Sequence, residues 1–159
     1  MAIEAPLSKH KKMNYKIYIA VCILAAAVFA YDGYLSKYKW SYRRSFFEEH
    51  VKEGKLDDTM KWNRRLPFVF GAAGIAFAAW LGFIKDKRLL ADEHELIISA
   101  KEKIPYDAIQ KIDKTYFDSK GHFIITHKDQ NGREVNRKLS DRNYDNLGAI
   151  LDYLVARIT

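Results

Sequence analysis

The sequence predicts a membrane protein: a two-helix transmembrane hairpin plus an α+β C-terminal domain, with an antiparallel sheet of about five strands capped by an amphipathic helix. Three observations carry this prediction. Nineteen residues between Arg65 and Lys85 bear no charge, and a second uncharged run of fifteen extends from Ile17 to Tyr31. After Arg88 the pattern changes to strand-like segments and ends on a helical stripe. A chain of 159 residues has room for one small domain beside two such helices.

Residues 1–14 read as a basic N-terminal tail, and residues 15–34 as the first span with its flanks. At ~1.5 Å per residue the fifteen uncharged positions reach ~22 Å as a helix. They cross a bilayer if Lys16 snorkels and Tyr15, Tyr18, Tyr31 and Tyr34 occupy the interface. A signal peptide shares this pattern, with basic residues from Lys9 to Lys16, an apolar core, and Val28-Phe29-Ala30 as a cleavage site. An uncleaved span is the expectation, and cleavage the alternative.

Residues 66–84 form the second span, ~28 Å long as a helix. Charges bracket both ends and Trp80 lies near one boundary; the alternative, a buried helix of a soluble domain, is disfavoured because no face is polar and the rest of the chain is too small to surround it. Small residues recur at four-residue spacing in both runs: Cys22, Ala26 and Ala30, then Gly74, Ala78 and Gly82. Such stripes let helices approach closely, so the spans are expected to pack on each other, or to meet a second copy or a partner. Cys22 is the single cysteine; it forms no intramolecular disulfide and reads as a packing residue.

Residues 35–65 form a polar, aromatic and basic helical hairpin loop. A helix is expected to continue to about Glu53, turn at Gly54, and restart at Asp57 or Asp58. Tyr38, Trp40, Arg43 and Arg44, with Lys85, Lys87 and Arg88 beyond the second span, form a candidate lipid or partner surface. The alternative is structural, with Leu35, Tyr38, Tyr42 and Phe46 buried as a stripe against Met60 and Trp62.

Charge limits the partners. Residues 1–16 and 32–65 each carry a net +3, whereas residues 85–159 carry fourteen bases against thirteen acids. A nucleic-acid-binding domain would carry its own basic footprint, so the pattern favours lipid headgroups and excludes nucleic acid. Seven bases flank the outer ends of the spans and nine lie between them, which leaves the positive-inside rule almost balanced.

Residues 85–159 are the α+β domain. Leu89-Leu90-Ala91 and Glu95 to Ile98 read as strands around a turn at Asp92-Glu93, and Pro105 ends a strand or begins a short helical turn. Ile112 to Phe117 reads as a strand and Asp118 to Gly121 as a turn. His122 to Lys128 and Glu134 to Leu139 form a hairpin around Gln130-Asn131-Gly132, since Asn and Gly both tolerate positive φ. Ser140 is the expected N-cap of a last helix whose Leu147, Ile150, Leu151, Leu154, Val155 and Ile158 share one face. That face covers the sheet or, alternatively, lies on a lipid surface.

The phrases IPYDAIQKID, KGHFIIT and LSDRNYDNLGAILDYLVARI resemble the small pleckstrin-homology-like domains of bacterial membrane proteins. A complete domain of that kind has seven strands, against about five read here. The resemblance implies a binding or assembly module attached to the bacterial inner membrane, with a cytoplasmic C-terminal domain and no catalytic residues.

No chemistry-bearing motif accompanies it. His10, His50, His94, His122 and His127 lack zinc-site spacing, and there is no phosphate-binding glycine loop or nucleophile elbow. Neither span holds a charge to carry an ion. The expectation is a non-enzymatic membrane-anchored interaction protein without a cofactor, metal or evident small-molecule substrate. Its partners are membrane lipids and a protein partner or a second copy; an anionic-lipid sensor, an accessory subunit of a larger complex and, behind these, a membrane enzyme with an unrecognised site are the alternatives.

Overall fold

A computed structural model describes residues 2–129 and 131–158. In chain order it contains β1 (Ile3–Pro6), α1 (Lys9–Ala30), a π turn (Tyr31–Leu35), α2 (Arg44–His50), β2 (Val51–Lys52), β3 (Lys55–Leu56) and α3 (Asp58–Ile84). There follow β4 (Arg88–Ala91), β5 (Glu95–Ser99), β6 (Glu102–Pro105), a 3-10 turn (Tyr106–Ala108), β7 (Ile109–Asp113), α4 (Phe117–Lys120), β8 (His122–Lys128), β9 (Glu134–Ser140) and α5 (Leu147–Ile158). Two compact units result: a helical unit of residues 14–82, and a β-rich unit combining residues up to 13 with those from 83 onward.

In the helical unit, α1 and α3 are each part of a 27-residue helical stretch long and apolar enough to cross a membrane. Their contacts are seven positions apart along α1 and three and four apart along α3. Tyr15 meets Phe77, Cys22 meets Gly74, and Phe29 stacks on Phe70 at 5.6 Å. The order reverses along the partner, so the pair is antiparallel.

The connection departs from the expected helix to Glu53. After the π turn, with Ser36 N–H donating to the Tyr31 carbonyl at 3.0 Å, the chain makes turns to Arg43 and only then forms the short α2. β2 and β3 make a two-residue hairpin in which Glu53 and Gly54 have φ of 51° and 74°, the twist that suits adjoining antiparallel strands. α3 then starts at Asp58, within the expected range. The proposed stripe does not bury: Met60 is enclosed, but Leu35, Tyr38, Tyr42 and Trp62 remain exposed.

The β-rich unit is larger than the sequence suggested. Among the described residues it contains seven strands, in a four-stranded antiparallel sheet ordered β1-β4-β5-β6 and a three-stranded one ordered β7-β8-β9. The segment read as a basic tail supplies β1, paired in register from Ile3 opposite Ala91 to Pro6 opposite Arg88. Pro6 is tolerated because β1 is an edge strand. Period-two burial places Leu89, Ala91, Leu96, Ile98, Phe123 and Ile125 in one core with Ala5.

Helix α5 closes that core with Leu147, Ile150, Leu151 and Leu154. Each fully buried aliphatic contributes on the order of 1.5–3 kcal/mol before opposing terms. The helix begins later than expected, because Ser140 ends β9 instead of capping α5. The intervening loop grips the N-terminal segment. Ser8 and Asp145 N–H groups donate to the Asn143 and Pro6 carbonyls, and the Asp145 carboxylate accepts the Lys9 N–H at the start of α1.

One further reading changes. Residues 117–120 form a short helix instead of a strand end, so β7 lies earlier, over Ile109–Asp113. At the β8–β9 turn, Gly132 has φ of 75°, in the left-handed region as expected. The Asp129 carboxylate also accepts the Asn131 and Arg133 N–H groups; Gln130 lies outside the described residues.

Candidate functional site

The helical unit is tied at its connection end by residues whose value lies in what they lack. Pro67 sits inside α3 and has no N–H to offer the Asn63 carbonyl one turn earlier. Gly33 packs against that same carbonyl: a Cβ there would lie 2.7 Å from the Asn63 oxygen and 3.1 Å from the Arg64 nitrogen. The missing donor and the missing side chain let two backbones meet. Arg64 Nε then donates to the Gly33 carbonyl at 2.9 Å, and the Tyr34 hydroxyl donates to the Arg64 carbonyl at 2.9 Å. The sequence gives no direct sign of this pairing; a proline within an apolar run is the available signal.

Of the expected packing residues, the structure brings Cys22 and Gly74 together and leaves Ala26 and Ala30 half-buried. Ala78 and Gly82 are exposed. The reason is angular. A four-residue step advances ~40° around a helix, so two steps carry Gly82 ~80° away from the seam that Gly74 occupies. Ala26, Gly71, Gly74 and Ala78 instead line a shallow apolar groove of about 310 Å³ beside the seam.

The contact at Cys22 gives a direct test of the pairing. The ideal Cβ position at Gly74 lies 3.4 Å from that of Cys22, near the lower end of disulfide separations. Gly74→Cys is therefore expected to oxidise to an intramolecular disulfide, protecting both thiols from maleimide. Continued labelling of both thiols after oxidation, at the level of a Gly71→Cys control, would refute the pairing.

At the connection, Tyr38 and Trp40 stack at 5.6 Å, and Trp40 and Tyr42 are 69% and 97% exposed. The neighbouring arginines are engaged. Arg43 forms a two-bond fork with Asp32, both distances 3.0 Å, and covers the Phe46 ring. Arg44 pairs with Glu48 at 2.8 Å, donates to the Lys37 carbonyl, and covers Phe47. His50 Nδ1 lies 2.6 Å from the Asp57 carboxylate, which also accepts the Met60 N–H. That backbone bond, followed by His50, lowers the Asp57 pKa from the ordinary carboxylate value and holds an ionised cap at the start of α3.

Lys85, Lys87 and Arg88 belong to the β-rich unit, whereas Arg43 and Arg44 belong to the helical one. All three are exposed, and Arg88 pairs with Glu4 at 3.3 Å across β1 and β4. In the same unit the Tyr106 hydroxyl donates to the Asp92 carbonyl at 2.5 Å, and burial pushes its pKa up to about 12, so the donor stays protonated. Among the described residues, no group of three or more His, Cys, Asp and Glu side chains converges as a metal site. No family model matches the chain, and no curated protein or solved structure matches it either.

Proposed function

We propose that the chain is a non-enzymatic, membrane-anchored interaction protein whose helical hairpin spans the bilayer and presents the β-rich unit at its surface. The observation that carries this reading is the apolar exterior of the helical pair. Ile17, Val21, Leu24, Val28, Phe68, Val69 and Ile75 are all about half exposed or more, while only 11% of each apolar helical window is buried. In water such a surface would cost about 25 cal/mol for each Å² left uncovered, and hydrocarbon removes that cost. The exposed aromatics at the connection, and Tyr18 with Trp80 towards the other end of the pair, suit headgroup layers.

Strand pairing supports an even number of crossings. β1 precedes α1 and β4 follows α3, yet the two are neighbours in one sheet. If α1 crosses, α3 must return. Cleavage after Ala30 would remove β1, which argues for a retained first span. The seven strands and closing helix also support the pleckstrin-homology-like reading, since the N-terminal segment supplies a strand missing from the C-terminal half. On that resemblance we assign the β-rich unit to the cytoplasmic face of a bacterial inner membrane, where it binds a protein partner or a second copy.

An anionic-lipid sensor is the weaker reading, because Arg43, Arg44 and Arg88 already hold carboxylates. With two crossings, moreover, the first two would meet one leaflet and Arg88 the other. Membrane fractionation and sided labelling test the anchor. The chain is expected to resist carbonate extraction, and cysteines at Lys55 and Asp107 in a Cys22→Ala background to label from opposite sides of sealed vesicles. Carbonate release or same-sided labelling would sink the anchor. Native mass spectrometry from gentle detergent tests the interaction: a strictly monomeric particle without a stoichiometric companion would count against it.

A further inference from the structure

A groove of about 610 Å³ in the β-rich unit runs from the β5–β6 pair to the end of β8. Its carboxylates are already occupied. Glu95 pairs with Lys103 at 2.6 Å, Glu102 with Arg137 at 2.8 Å, and Asp129 accepts two backbone N–H groups. The ammonium groups of Lys101 and Lys128, both exposed and both lining the groove, make no ion pair among the described residues. Between these features lies His127, which is only 8% exposed and whose buried Nδ1 has no hydrogen-bond partner.

The core does not explain this histidine. On β8 it follows Phe123 and Ile125 on the inward face, a position that an apolar side chain would fill without leaving a polar atom unpaired. A buried N–H without an acceptor is rarer than a buried lone pair without a donor. The proton therefore belongs on Nε2, leaving Nδ1 as the unpaired lone pair. The ring then offers an N–H donor where its remaining exposure meets the groove. Two free ammonium groups and one imidazole donor, with Glu95 and Glu102 paired to cations and Asp129 held by backbone N–H groups, are complementary to an anion.

We propose that this groove binds a phosphate group, with Lys101 and Lys128 contributing charge and His127 a hydrogen bond. Lysines are compact point charges that serve phosphate well, whereas a planar carboxylate is better matched by an arginine fork; the fork here, Arg137, is engaged by Glu102. The proposal concerns the β-rich unit alone and does not depend on the hairpin crossing a bilayer.

The test uses the full chain in phosphatidylcholine nanodiscs, with the His127 imidazole nitrogens followed by NMR and assigned through His127→Asn. Inorganic phosphate, titrated against chloride at fixed ionic strength, is expected to perturb His127 saturably. The double variant Lys101→Gln, Lys128→Gln, altered only at exposed positions, is expected to weaken the apparent affinity about tenfold while leaving the amide spectrum intact. A second arm replaces part of the lipid with phosphatidic acid and omits free phosphate. Perturbation there as well identifies a headgroup as a competent source, whereas perturbation by inorganic phosphate alone assigns the site to free phosphate. Silence in both arms, an equal response to acetate, or an unchanged response in the double variant would overturn the proposal.

Discussion

Gly33→Leu is expected to force the helical pair apart at its connection end and to destabilise it by about 3 kcal/mol or more. The obstacle is backbone. An added Cβ meets the Asn63 carbonyl at 2.7 Å, and no rotamer change of a neighbour can relieve that contact. Arg64 and Tyr34 would lose their bonds across the same junction. Gly71→Leu is the matched control, because nothing lies within 4 Å of its ideal Cβ. Helix propensity alone favours leucine over glycine at both sites, by somewhat less than 1 kcal/mol. The two variants are therefore expected to move in opposite directions in detergent unfolding followed by circular dichroism. Equal behaviour would refute the close approach.

Ala5→Asp is the second large effect. Ala5 is fully buried in the core that includes Leu89 and Leu154, and the new carboxylate would find no cation there. The expected loss is about 3–5 kcal/mol, a large part of the stability of an ordinary small domain. Glu4→Gln, one residue away on the exposed edge, gives up only a solvent-screened pair with Arg88 and should cost well under 1 kcal/mol. Amide exchange across β4 separates the outcomes. If residues 3–6 were only a tail, neither variant would change protection at Leu90 or Ala91.

How much of this was legible in the sequence depends on the distance over which each signal acts. Uninterrupted apolar runs mark α1 and α3, and the stripe from Leu147 to Leu154 marks α5, because each pattern is contained within its own helix. The β8–β9 hairpin was equally local. β1 had no such signal: four residues, one of them proline, become a strand only against β4, far along the chain. Ser140 looked like a cap because serine precedes a polar stretch, but the loop to Asn146 is committed to holding Pro6 and Ser8.

The aromatic connection was misread for a different reason. Tyr38, Tyr42 and Phe46 satisfy helical spacing, yet the π turn ends α1 and two of the three rings stay in the open. Among the candidate site residues, Cys22 and Gly74 were found by their small size. Ala78 and Gly82 were grouped with them through a fixed four-residue step, which drifts ~40° each time around the helix from the face that Gly74 turns to Cys22.

The shared sheet also dictates an order of assembly. Between Pro6 and Arg88 lie 81 residues, and closing so long a flexible loop costs about 4 kcal/mol in chain entropy, plus a constant, before the four-residue ladder returns anything. Pairing of α1 with α3 removes most of that slack, since only Leu7, Ser8 and Lys85 to Lys87 then separate each helix from its strand. The helices therefore act as the folding template for the sheet. β1 is synthesised 81 residues ahead of β4, so it waits for both helices before it can pair.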